Sequence, residues 1–466
     1  MHVPVSFILA FLATMAVMIA VAVYSTRKVQ SATDFSLAGR SANSFHVAGG
    51  ILGTLVGGAA TIGTVQLAYT FGLSAWWFTC GCSIACLFLG VSMAPSLRRG
   101  MVETIPQFIS HYHGERARVC ASIFSACGMF IHIVAQLLAA GALLSTLFNI
   151  SMISAAAIAV TLTIIFAVGG GMNSAGPLGL VKLLLIYTSM AASGLLAYSL
   201  AGGLSGIQSS FPPYPWFSFF GYGVSNSLSD FFSVVVGVLS TQTYLQSIFA
   251  ARDVKSARNG ALISAAVMLP LGFIGIIIGL YMRISAPGIE SAKALPLFIS
   301  LHFSPLFAGI AFAALLITAI GTAAGLATGV GTTLIVDVIS KIKQAAQHKL
   351  LLMRLMTALA LLSAFILLIY NANSAIMEWS FLSMGLRGAT LCLPLLLAIF
   401  LRDRTSRAGG ALSIFTAPTV VITSGILSTQ FTPLYAGLCV SLFAILFGYA
   451  YSLVKERKGI YKQTQK

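Results

Sequence analysis

Apolar runs of roughly 18 residues or more recur along this chain from one end to the other, each long enough to cross a hydrocarbon core of about 30 Å. Backbone that enters lipid must satisfy its own hydrogen bonds, so each run is a helix or part of a closed barrel. A barrel shows alternating segments of about ten residues, and none occur. The chain therefore reads as an all-α polytopic membrane protein. With 58% hydrophobic and only 8% charged residues, it has too little polar surface for a soluble domain.

Thirteen spans are expected, roughly 4–24, 46–70, 76–97, 119–147, 152–170, 175–202, 229–250, 259–283, 305–336, 352–371, 376–401, 409–428 and 433–453. The net charge of +16 would suit a nucleic-acid partner, but the basic residues are placed otherwise. Of the 26 Lys and Arg, all but Lys182, Arg283, Lys293 and Arg387 fall at the span ends that share one side of the membrane, in or beside alternate links. That asymmetry sets the N-terminus outside and the C-terminus in the cytoplasm, in the cell (inner) membrane. It makes nucleic acid an unsuitable partner and the bilayer the expected one. The first run, VPVSFILAFLATMAVMIAVAVY, lacks a basic leader and a small-residue cleavage site, so it is expected to remain as a helix. Cys80, Cys82 and Cys86 fit no metal spacing and are expected to pack as small hydrophobes.

The largest link, 202–230, is rich in Pro and aromatic residues and is expected to pack on the outer face. It separates spans two to six from spans seven to eleven, two sets of five. Five is odd, so the second set enters from the opposite side, as an inverted repeat does. This predicts a single transmembrane transporter domain over 1–466. A peripheral helix and loop cover 1–45, the two repeats 46–202 and 229–401, and two peripheral helices with a tail 402–466. In such folds the first helix of each half is interrupted near the midplane. Span two carries GTLVGGAATIGT (53–64), although each interior glycine costs a helix about 1 kcal/mol. Span seven carries SVVVGVLSTQTYLQSIF (233–249), with polar Ser240, Thr241 and Gln242 after Gly237. Broken helices account for both; close packing through small residues also accounts for the glycines.

Five stretches together resemble the sodium:solute symporter family, whose members share the inverted-repeat core of the leucine-transporter type. They are DFSLAGRS (34–41), AYTFGLS (68–74), ETIPQFISHYHG (103–114), YLQSIFAARDVKSARNG (244–260) and PLLLAIFLRDRTSRAGGALSI (394–414). The resemblance covers nearly the whole chain, and the glycine-rich segment is most similar to the choline-transporter-like branch. It implies sodium-coupled symport of a small organic solute by alternating access. It also implies a sodium site between spans two and nine, built from carbonyls of Gly53, Val56 and Thr318 and a hydroxyl pair. Counting back 16 and 15 residues from Asp337, that pair falls on Gly321 and Thr322, so one hydroxyl is missing. Thr322 has the alternative of bonding back to its own turn.

The family usually places an aspartate, and three residues later a glutamine, early in span six, where this chain has Gly179 and Lys182. No second sodium site is therefore expected. An ionisable residue inside a span is a functional candidate. Lys182 could replace the sodium charge with its ammonium and couple transport to protons, because burial makes lysine's proton affinity movable. It could instead snorkel to the interface.

The breaks and the helix that crosses between them supply the candidate solute-lining residues: Leu55, Gly57, Gly58 and Thr61 of span two, Gln136 of span four, and Thr241, Gln242 and Tyr244 of span seven. Gln136 has the alternative of an interhelical hydrogen bond. Choline-type members hold their ligand with aromatic rings, and Leu55 and Thr241 stand at two of those places here. A neutral or anionic solute is the expectation. Arg387, in SMGLRGATLCLP, either pairs with Glu378 or meets an anionic solute. The HYH at 111–113 falls in a solvated hairpin without further ligands and is assigned nothing. No paired aspartates, HExxH or Ser–His arrangement lies inside a span, so no enzyme is expected. A non-transporting solute sensor is the alternative class; the short tail VKERKGIYKQTQK argues against it. No obligate protein partner is evident.

Overall fold

The computed structural model describes residues 4–26, 31–339, 348–401, 406–427 and 432–457. Among these residues the regular elements are helical, apart from an isolated parallel bridge between Ala42 and Ala251. Ten helices are long and apolar enough to cross a membrane, and Val5–Val21, Ser44–Leu55 and Met152–Ala167 are shorter apolar helices. The protein is multi-pass, and the thirteen expected spans are compatible with this set. One boundary differs. Helical backbone runs through Met152–Leu200, so the link expected at 171–174 between spans five and six is helical.

Spans four (Glu115–Phe148), nine (Pro305–Asp337) and eleven (Ile376–Phe400) are the most enclosed by protein, whereas Lys349–Ile369 and Pro433–Val454 are mostly exposed. The last two carry their apolar side chains outward, as lipid-facing helices do.

Both expected interruptions are present. Span two begins as Ser44–Leu55, with the Asn43 side chain accepting from the His46 N–H at 2.9 Å. The chain leaves the helix at Val56 (φ −79°, ψ 88°) and resumes through a π turn, Ala59–Gly63, into Thr64–Phe71. The glycines here permit close approach as well as a bend. A Cβ on Gly58 would lie 2.2 Å from the Ala139 Cβ, and one on Gly57 would lie 2.4 Å from Gln136 Oε1. Span seven runs as Val224–Leu239, departs at Ser240 and Thr241 (φ −90°, ψ 121°), and resumes as Gln242–Phe249.

The 202–223 link packs on one face. Trp77 Nε1 donates to the Phe219 carbonyl at 2.5 Å, Ser74 Oγ to that of Ser218 at 3.1 Å, and Trp76 lies against Phe219. The opposite face is covered by the hairpin helix Ile105–His113, which starts on a capping box between Thr104 and Gln107.

Candidate ion and solute site

Breaking span two frees acceptors. In a continuous helix the Gly57 N–H would bond to the Gly53 carbonyl; here it turns to that of Leu55 at 3.1 Å. The Gly53 oxygen is left at the negative end of the first half-helix. Span nine passes beside it with Thr318 and Thr322. Into this group of oxygens reaches Lys182. Its Nζ donates to the carbonyl of Gly53 at 2.6 Å, to that of Thr318 at 3.1 Å and to Thr322 Oγ1 at 3.1 Å.

Four of the five residues expected to hold sodium, Gly53, Val56, Thr318 and Thr322, thus come together, and an ammonium lies among them. Thr322 does not bond to its own turn. Its hydroxyl lies 3.3 Å from the Val56 carbonyl and 3.5 Å from that of Gly53, whereas the Thr318 hydroxyl does bond back, to Ala314 at 2.6 Å. Gly321 faces the same group, its absent Cβ 3.8 Å from Nζ. The snorkelling alternative is not what is seen, since Lys182 is 2% exposed and points at the break. At Gly179 a Cβ would lie 2.1 Å from the Gly49 carbonyl oxygen. The glycine lets spans two and six pass at backbone contact, with no room there for the aspartate that the family resemblance implies.

The expected solute residues divide. Gln136 Oε1 accepts from the Gly58 N–H at 2.7 Å, so it caps the second half of span two, and its Nε2 has no partner. The interhelical bond is thus made through the amide oxygen, and the amide nitrogen is left unengaged. Thr61 and Thr241 bond to carbonyls four residues back, Gly57 at 3.0 Å and Gly237 at 2.6 Å, and Leu55 is buried among apolar neighbours. Gln242 faces the hairpin. Its Oε1 accepts from the Ile105 N–H at 2.9 Å and its Nε2 donates to the Glu103 carbonyl at 3.0 Å. Tyr244 is fully buried with its hydroxyl unpartnered.

Arg387 does not pair with Glu378. Its Nε and Nη2 donate to the carbonyl and hydroxyl of Ser383, at 3.1 and 2.9 Å, and Nη2 lies 3.4 Å from His132 Nδ1. Glu378 instead lines a cavity of about 530 Å³ under the 202–223 link, with Gln66, Tyr222, Asp230 and Phe381. His113, expected in solvent, is buried with its Nε2 3.2 Å from the Pro394 carbonyl. Burial holds its pKa below the usual imidazole range.

Sequence reasoning missed the attachment of the hairpin. Asp337, used only as a marker for counting, is fully buried and accepts from Thr104 Oγ1 at 2.9 Å and from Arg118 Nε at 2.8 Å. The Thr104–Gln107 capping box was readable, but nothing in the sequence pointed it at Asp337.

Because Gly58 has no space for a methyl group, Gly58→Ala is expected to destabilise the protein by about 1–3 kcal/mol through overpacking. It should also push Gln136 off the break. A thermal midpoint in detergent equal to that of the native protein would show that the approach is not constrained.

Residues 35–416 match the model of the sodium:solute symporter family. Among curated relatives, the chain is 21% identical over 195 residues to the uncharacterized symporter YwcA of Bacillus subtilis (strain 168), covering 42% of this chain and 38% of that protein. It is 24% identical over 270 residues to the high-affinity choline transporter 1 of Drosophila melanogaster, covering 56% of this chain and 42% of that protein. The chain thus spans under half the length of these relatives in the matched stretches. Among solved structures it is similar to a substrate-bound, outward-open Na⁺-coupled sialic acid symporter, with TM-score 0.81, 17% identity, and 96% and 97% of the two chains covered. It is also similar to Mhp1, a nucleobase-cation-symport-1 family transporter in a closed conformation, with TM-score 0.64, 13% identity, and 92% and 96% covered. At these identities the likeness establishes the fold, a leucine-transporter-type inverted-repeat core.

Proposed function

This chain belongs to the sodium:solute symporter family, and on that premise we propose that it carries a small organic solute by alternating access, with Lys182 and sodium as competing occupants of one cation seat. The observation that carries this reading is the set of bonds from Lys182 Nζ to Gly53, Thr318 and Thr322. Family membership supports sodium-coupled symport. In this chain the protonated lysine fills the seat, and sodium enters when the lysine is neutral and withdrawn. Two unit charges cannot share that space: at about 4 Å their repulsion is about 4 kcal/mol in a partly polar interior. Binding and release of the lysine proton then does what sodium binding and release does in relatives. It holds spans two and nine together in one state and lets them part in the other.

The charge asymmetry of the links supports an outside N-terminus, the 202–223 link outside and the hairpin in the cytoplasm. On that orientation the cavity beside Glu378 faces outward and the molecule is closed on the cytoplasmic side. Solute and cation both stabilise the closed state, so occupancy of each raises the affinity of the other.

The test is uptake of a solute panel by proteoliposomes under separately imposed proton and sodium gradients, repeated with Lys182→Gln. An inward proton gradient alone is expected to drive accumulation in the native protein, and Lys182→Gln to lose at least about tenfold of that component. Proton dependence that is the same in both would refute the role given to Lys182.

A further inference from the structure

Arg387 sits near the middle of span eleven, fully buried, and its Nη1 has no hydrogen-bond partner. A buried guanidinium is ordinarily matched by a carboxylate. Among the described residues no carboxylate forms an ion pair with it, and its Nε and Nη2 rest on Ser383 and His132, neither of which carries negative charge. The position is nonetheless built for it. Gly128 of span four is bare where a Cβ would strike Arg387 Cγ at 2.3 Å, so the stem of the arginine lies in a slot made by that glycine.

Two further buried polar groups without partners lie on the surrounding elements. Tyr244, just past the break of span seven, a span that packs against span eleven, is fully buried with its hydroxyl unpartnered. Gln136 stands one turn beyond His132 on span four, on the same face by its four-residue spacing, with Nε2 unpartnered. A guanidinium edge and an amide nitrogen can only donate, and the phenol can donate. Unfilled donors around an unmatched positive charge are the complement of an anion rich in acceptors. The acids of the outer cavity, Asp230 and Glu378, do not fill this role. Asp230 is engaged by the Tyr222 hydroxyl at 2.9 Å, and both border the cavity above Phe381, two turns before Arg387 on the same helix.

We infer that Arg387 Nη1, with the Tyr244 hydroxyl and Gln136 Nε2, receives the carboxylate of the transported solute, which makes that solute an organic anion. The inference rests on the symport reading above and narrows it from neutral or anionic to anionic. Arg387 binds the solute directly, and Gly128 positions it.

The test measures thermal stability of the purified full chain with carboxylates and their neutral amides in matched pairs: lactate and lactamide, benzoate and benzamide, nicotinate and nicotinamide. At about 10 mM, at least one acid is expected to raise the midpoint by about 2 °C or more while its amide does not. In Arg387→Gln that shift should disappear, and in Arg387→Lys, which keeps the charge, part of it should return. Equal stabilisation by acid and amide, persistence of the shift in Arg387→Gln, or no response to any acid overturns the assignment. Should Arg387→Gln fail to fold, the acid–amide comparison on the native protein still decides. Accumulation of a neutral solute unaffected by Arg387→Gln would remove the anion inference and leave symport standing. Binding of an acid that no gradient drives into proteoliposomes would remove symport and leave the anion site.

Discussion

Combining Lys182→Gln with Gly321→Ser is expected to give a sodium seat at least about tenfold tighter at pH 6 than that of the native protein, and insensitive to pH. The pair supplies the glutamine and the second hydroxyl that the family resemblance implies at these places. It also fits the space, because a Cβ at 321 would lie 3.8 Å from Lys182 Nζ and 3.9 Å from its Cδ, ordinary contact distances that widen once the lysine is gone. The serine hydroxyl then joins Thr322 Oγ1 and the carbonyls of Gly53, Val56 and Thr318, an all-oxygen set of the kind a hard cation requires. In the native protein sodium must first displace an ammonium that makes three hydrogen bonds, a penalty that grows as pH falls and the lysine charges. Removing the competitor removes that dependence.

The readout is the sodium-induced rise in thermal midpoint from pH 6 to 9, with potassium chloride as the ionic-strength control. Stabilisation scales as RT ln(1 + [Na⁺]/Kd), so a tenfold gain in affinity is about 1.4 kcal/mol at saturating salt. Thr322→Val in the double variant should abolish the gain, since it removes the hydroxyl that bridges spans two and nine. Sodium stabilising native and double variant alike at pH 6 would show that Lys182 does not compete for the seat.

Much of this was legible in the chain because bilayer physics is strict. Lipid forces regular helices, so the departures at Gly57–Gly58 and Ser240–Thr241 stood out against the apolar runs, and a single lysine among apolar residues drew notice for the same reason. The direction of a side chain was not legible. Whether Lys182 turned to the interface or to the break depended on the passage of spans two and six over Gly179 and Gly49, a long-range packing fact. Gln136 and Gln242 carry the same amide in similar spans, yet one caps the broken helix and the other holds the hairpin. Arg387 shows the same limit: spacing along one helix suggested Glu378, but the neighbours that matter, Gly128 and His132, come from span four.

Arg118→Ala is expected to shift the protein toward a state open on the hairpin side, and it is the second large effect the geometry supports. Side chains of three spans fasten the hairpin. Asp337 of span nine takes Thr104 and Arg118, Gln242 of span seven takes the backbone of Glu103 and Ile105, and Lys349 of span ten reaches Glu103 at 3.4 Å. Arg118 also donates to the Val336 carbonyl at 3.1 Å. Removing it leaves the Asp337 carboxylate buried without a cationic partner, an uncompensated charge that costs about 3–5 kcal/mol. Opening the hairpin relieves that cost by hydrating the carboxylate, so the penalty falls on the closed state. A bias of about 3 kcal/mol moves a two-state ratio by roughly a hundredfold.

Spin labels at exposed His111 and Lys255 would register it as a new, longer distance. Adding Asp337→Asn should return much of the population to the closed distance, because a neutral amide can stay buried at far lower cost. That recovery separates release of a charged latch from general loosening of the fold. An unchanged distance distribution in Arg118→Ala, or no recovery in the double variant, would mean that the hairpin is held by packing and by Gln242, with the ion pair incidental to which side of the molecule is closed.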